Sequence, residues 1–170
     1  MKKFQHLVVA YDGTDDSREA LELGIDMSKQ LQSSLSVVNI QKETTFTEVT
    51  NSDRSGVFPP TSTPPVGGLN HYPVVPVPIE EPDTREREYS EKEAALRSEA
   101  QRILDDHNVD GEVKVAYGEP SDEIVNYAKN NDGDLIIIGS RDISGLKRLI
   151  FGSVSEKVSH SSTIPVLIAK

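Results

Sequence analysis

"DLIIIGS", residues 134–140, is the stretch on which the fold turns. Leu135 to Ile138 form an unbroken apolar row, closed off by Asp134 on one side and Gly139–Ser140 on the other. A strand with one wet face alternates apolar and polar residues, whereas a continuous run is covered on both faces. Such strands belong to parallel sheets with helices on either side, so strands and helices should alternate along the chain.

They do. Phe4–Tyr11 is a short apolar run that ends at "DGT" and reads as a buried strand. In the following segment Ala20, Leu21, Gly24, Ile25, Met27, Ser28 and Leu31 recur at helical spacing. Thr14 stands at the N-cap position, and Asp15 and Asp16 suit the positive end of the helix dipole. Ser34–Gln41 is a second strand. Residues 83–109 form a long charged helix with Ala95, Leu96, Ala100, Ile103 and Leu104 as its apolar stripe. "GEVKVAYG" (111–118) alternates as a strand, and "EPSDEIVNYAKNN" (119–131) carries Pro120 at the start of a helix. After 134–140 come a short helix in "GSVSEKVSHSS" (152–162) and a last strand in "IPVLIAK" (164–170). The expected fold class is α/β, a five-stranded parallel sheet with helices on both faces. One domain is expected over residues 1–170, interrupted by an insertion at about 42–82 that holds most of the ten prolines. That insertion reads as a linker-like loop; a docking segment for a proline-recognising domain is the less favoured reading.

In open parallel sheets ligands sit beyond the carboxyl ends of the strands, where strand order reverses. Tyr11–Asp12–Gly13, Ile40–Gln41 and "GSRDISG" (139–145) meet at that edge. Asp12 has two readings, an acceptor for a ribose or adenine edge and a turn-former beside Gly13. Gly139 stands where a side chain would block a ligand or a close backbone approach. Gly152 and Ser153 begin a helix, whose free amides make an anion site. Ser153 and Glu156 also spell the capping box S-x-x-E. Arg141, Lys147 and Arg148 add positive charge, but without G-K-[ST] this is no Walker A loop.

"VVAYDGTDDSREAL" near the start and "DLIIIGSRDISGLKRLIFGSVSEKV…IPVLI" at the end resemble the universal stress protein family. The resemblance spans nearly the whole chain outside the proline-rich insertion. It implies a Rossmann-like, adenine nucleotide alpha hydrolase-like fold and a homodimer formed through the last strand, Ile164–Ala169. The ATP-binding branch of that family carries G-x2-G-x9-G-[ST]. Here the first glycine is Gly139 and the last pair is Gly152–Ser153, with the spacing intact, but the second glycine is replaced by Asp142. The resemblance further implies that Ala10, Tyr11 and Asp12 line the adenosine pocket and that Ile40 and Ile138 sandwich the adenine. Gly139, Arg141, Gly152, Ser153, Val154 and Ser155 would surround ribose and phosphates of ATP or AMP.

Asp142 is the departure. A carboxylate ~4 Å from a phosphate costs about 1 kcal/mol in water and about 4 kcal/mol at intermediate dielectric. A divalent cation such as Mg2+, shared by Asp142 and the phosphates, would turn this repulsion into coordination. Turning the side chain outward to Arg141 or Lys147 would relieve the repulsion as well. The alternative is that Asp142 disables the pocket and the chain is a nucleotide-free, dimeric stress-response interaction protein.

Other chemistry finds little support. The formal net charge of −10 disfavours nonspecific binding to nucleic acid or anionic membranes. The absence of cysteine excludes disulfides and thiolate chemistry. His6, His71, His107 and His160 lack metal-ligand spacing. No general base is poised near the loop, so at most a slow ATPase is expected. With no apolar run near the ~20 residues that span a bilayer, and no signal-like start, a cytoplasmic location is expected.

Overall fold

Strand and helix alternate in the order β1 His6–Ala10, α1 Asp15–Leu31, β2 Ser34–Gln41, α2 Thr84–Asp106, β3 Gly111–Tyr117, α3 Pro120–Asn130, β4 Leu135–Gly139, α4 Ser153–Ser161 and β5 Val166–Ala169. The computed structural model describes residues 4–41, 84–140 and 152–170. The proline-rich insertion and the loop residues Arg141, Asp142, Lys147 and Arg148 lie outside the described residues.

The sheet has five strands in the order β3-β2-β1-β4-β5, and every pairing is parallel. From β1 the chain steps outward through β2 to β3, then crosses back to β4 and on to β5. Right-handed crossovers put helices that step one way on one face and those that step the other way on the opposite face. Accordingly, α1 and α2 cover one face, where Leu7 and Val9 pack with Leu21, Ile25 and Leu104. The other face carries α3 and α4, with Val8, Val38 and Ile136 against Ile124, Val125 and Val158. Ile136 and Ile137 are fully buried on opposite faces, as the apolar run of β4 requires. Edge strand β3 instead exposes Glu112, Lys114 and Tyr117, which blunts it against further pairing.

The local signals act as expected. Thr14 caps α1 by accepting a hydrogen bond from the Ser17 amide, and Asp15 and Asp16 occupy the first turn. The buried face of α1 comprises Ser17, Ala20, Leu21, Gly24, Ile25 and Ser28. Leu31, at helical spacing with that stripe, is 45% exposed because α1 ends there, with Gln32 turning into the left-handed region at φ 55°. Along α2 the stripe is narrower than its sequence indicates: Ala100, Ile103 and Leu104 are buried, Leu96 is half-buried and Ala95 is exposed. Pro120 opens α3, where its missing N–H costs nothing. Among the described residues no helix is long and apolar enough to cross a membrane.

Candidate functional site

Strand order reverses between β1 and β4, and their carboxyl ends define the candidate site. At the end of β1, the Tyr11 amide donates to the Val38 carbonyl at 2.9 Å and the Tyr11 carbonyl accepts from Asn39 Nδ2 at 2.6 Å. Asn39, 3% exposed, thereby ties β2 to the turn after β1. The turn itself is built by Asp12. Its Oδ1 accepts from the Thr14 amide at 3.1 Å and the Thr14 hydroxyl at 2.6 Å. Thr14 Oγ1 in turn accepts from the Ser17 amide at 3.3 Å. The turn-forming role of Asp12 is therefore realised, on an exposed residue. Gly13, at φ 82°, supplies the left-handed step.

Ala10 and Tyr11 part company here. Ala10 belongs to the α3–α4 face, together with Ile138 and half-buried Ile40. Successive strand residues point to opposite faces, and the Tyr11 side chain is buried on the α1–α2 face. The structure thus brings Ala10, Ile40 and Ile138 together on one face, flanking the end of β1, and sends the Tyr11 ring to the other. The Tyr11 hydroxyl is buried without a hydrogen-bond partner, beside the Arg18–Glu99 ion pair. Burial, reinforced by Glu99, pushes the phenol up to about 12.

Gly139 ends β4, and its reason is packing. A Cβ there would lie 2.6 Å from the Asp16 carbonyl group and 2.9 Å from the Ser17 amide nitrogen, so α1 starts directly against this strand end. Ser140 follows, buried, with its amide donating to the Ala169 carbonyl at 3.0 Å.

Because β5 runs parallel to β4, α4 must travel back from the carboxyl edge, so its amino end lies at the site. The expected capping box is not made. The N-cap is Gly152, whose carbonyl accepts from the Glu156 amide at 2.9 Å and from the Ser155 hydroxyl at 2.9 Å. Ser153 is thereby the first helical residue, one position too late to cap, and its side chain is exposed. Gly152 and Ser155 are buried and Val154 is half-buried. Of the loop positions singled out by sequence, Arg141 and Asp142 lie outside the described residues. Among the described residues no group of three or more His, Asp or Glu could hold a metal ion.

Three features went unread in the sequence: the Thr14 hydroxyl on Asp12, the Asn39 tie and the Arg18–Glu99 pair. Asn39 alone carried a signal, an amide inside the apolar run "SVVNI". An open cleft of about 620 Å³ lies at the opposite end of the sheet, lined by residues that include His6, Ser36, Asp105 and Glu112. It is remote from the switch point.

Fold and site together define a doubly wound α/β domain with a candidate ligand edge between β1 and β4 and the amino end of a helix at that edge. The sequence profile of the universal stress protein family matches residues 70–170. Universal stress protein YxiE of Bacillus subtilis is 35% identical over 167 residues, covering 98% of this chain and 99% of the relative. Stress response protein NhaX of the same bacterium is 32% identical over 171 residues, covering 96% of each. The chain belongs to the universal stress protein family. Among solved structures, a universal stress protein from Archaeoglobus fulgidus has a TM-score of 0.65 at 24% identity, over 98% of this chain and 99% of the other. The Archaeoglobus fulgidus protein in complex with dAMP gives 0.62 at 21%, over 99% and 100%. A universal stress protein in complex with cAMP gives 0.64 at 18%, over 99% and 98%. These likenesses show that the chain shares the fold of solved universal stress proteins.

Proposed function

We propose that this chain is a stress-response protein that binds an adenine nucleotide, ATP, at the carboxyl edge of its sheet and works as a homodimer in the cytoplasm. The observation that carries the reading is convergence. Asp12, Ile40, Ile138, Gly139 and the Gly152–Ser155 helix start share one edge, and Gly139 and Gly152–Ser153 keep the spacing of the family's nucleotide motif. Ile40 and Ile138 offer apolar flanks to an adenine ring. Asp12 presents a carboxylate, already oriented by Thr14, to ribose or adenine donors. The first amides of α4 and the exposed Ser153 hydroxyl suit phosphate oxygens. Structural relatives in complex with dAMP and with cAMP support an adenosine phosphate as the class of ligand.

The other edge of the sheet supports the homodimer. Val166, Leu167 and Ile168 of β5 are only half-buried, and among the described residues this strand pairs with β4 alone. A second copy laid antiparallel along Ile164–Ala169 would cover that apolar edge.

The competing reading is a nucleotide-free dimer whose pocket Asp142 disables, and one experiment separates the two. Calorimetric titration of ATP into the chain and into Asp142→Gly is done in chelator and again with Mg2+. Repulsion predicts that Asp142→Gly binds about tenfold tighter or more without metal, from the Coulomb cost of a carboxylate beside a phosphate. A bridging cation predicts that Mg2+ narrows the gap. Equal dissociation constants in chelator would remove Asp142 from the account; binding by Asp142→Gly alone, with or without Mg2+, would favour the disabled pocket, and no binding by either protein would overturn the nucleotide reading.

A further inference from the structure

Helix α2 touches the turn between β1 and α1 at two points one helical turn apart. Leu96 lies over Gly13, where an added Cβ would come within 2.4 Å of Leu96 Cδ2. Glu99 forms an ion pair with Arg18 Nη2, above the buried Tyr11 ring. Arg18 follows directly on Ser17, whose amide bonds Thr14 Oγ1, and the Arg18 amide donates to the Thr14 carbonyl at 2.9 Å. Thr14 in turn holds the Asp12 carboxylate. A short chain of contacts therefore runs from α2 through Arg18 and Thr14 to Asp12.

Nothing in ordinary packing demands charges here. Arg18 Nε is buried without a hydrogen-bond partner, while the ion pair is only partly exposed, 42% for Arg18 and 30% for Glu99. An apolar pair would fill the same place without an unsatisfied donor. A half-wet ion pair contributes little to global stability. Its directional geometry does fix where the first turn of α1 begins.

We infer that Arg18 and Glu99 are positioning residues: α2 uses them, with Leu96, to set the Asp12–Thr14 turn and so the nucleotide affinity of the edge, from the face opposite α3 and α4. This rests on the nucleotide reading for its second half only. In this account both side chains act on the ligand edge through the turn.

The test is amide hydrogen exchange of the full-length chain, resolved at Thr14, Ser17 and Ile137, for wild type, Arg18→Met, Glu99→Ala and Glu99→Gln. Positioning predicts that Glu99→Ala and Arg18→Met raise exchange at Thr14 and Ser17 about three- to tenfold, the range typical of coupling between packed neighbours. Ile137 in the core stays at the wild-type rate. Glu99→Gln keeps an oxygen acceptor for Arg18 and recovers most of the protection. Wild-type exchange at Thr14 and Ser17, or acceleration at all three amides alike, overturns the proposal. The same variants titrated with AMP should lose affinity by about the same factor. Intact affinity despite loosened amides would refute the link to the ligand edge. A wild-type chain that binds no AMP would refute the nucleotide reading instead, and the exchange result would still decide the positioning.

Discussion

Asp12 and Tyr11 are adjacent, yet one is exposed in the turn after β1 and the other is buried in the core on the α1–α2 face. Asp12 spends one carboxylate oxygen on Thr14 and stays at the exposed edge, while Tyr11 disappears beneath α1 and α2. The parity was readable: residue 11 shares the face of Leu7 and Val9, and residue 10 that of Val8. Family resemblance grouped both residues by their place in the motif and passed over the alternation. The buried phenol has a measurable consequence. Its ionisation is raised from about 10 to about 12 by burial and by Glu99, so the folded chain keeps a proton that the unfolded chain releases. That contribution to stability is present below pH 10 and is lost as pH climbs through about 12. Denaturant melts of wild type and Tyr11→Phe should agree to within about 1 kcal/mol at neutral pH, since the hydroxyl has no partner to lose. Between pH 10 and 12 the wild type should lose more stability than Tyr11→Phe. Parallel pH profiles would contradict the placement of the phenol.

At the scale of elements, the boundaries written into local chemistry were legible, and those set by distant packing were not. Thr14, Pro120 and the run Leu135–Ile138 announce α1, α3 and β4 without help from the rest of the chain. The start of α4 misled by one residue, because S-x-x-E does not say which carbonyl accepts the first helical bond; here it is that of Gly152. The Arg18–Glu99 pair, 81 residues apart in sequence, exists only once α1 and α2 share a face. Gly139 was read as either a ligand approach or a backbone approach, and the structure gives the second a definite partner in the first turn of α1. Gly139→Ala should therefore destabilise the chain by about 1–3 kcal/mol in urea unfolding, because the added carbon meets backbone that cannot swing aside. A loss below about 0.5 kcal/mol, the size of an ordinary surface substitution, would mean that α1 can retreat from β4 freely.

For the whole molecule, order and handedness follow from a few runs of sequence. Alternating strands and helices, parallel pairing and right-handed crossovers leave little freedom in which face each helix takes. Among the described residues, β5 pairs with β4 alone and presents an apolar edge. Sedimentation equilibrium should return twice the 18.7 kDa chain mass, and Ile168→Lys should shift it toward one chain. A monomer at micromolar concentration would contradict the proposed pairing. The central claim remains the nucleotide at the β1–β4 edge, and thermal unfolding with and without ATP tests it most directly. A ligand at about a hundred times its dissociation constant adds ~2.7 kcal/mol, which for a chain of this size raises Tm by roughly 5–10 °C. The account predicts that rise with ATP, in the presence of Mg2+ if Asp142 needs a shared cation. A melting temperature unmoved by millimolar ATP, with and without Mg2+, would contradict it.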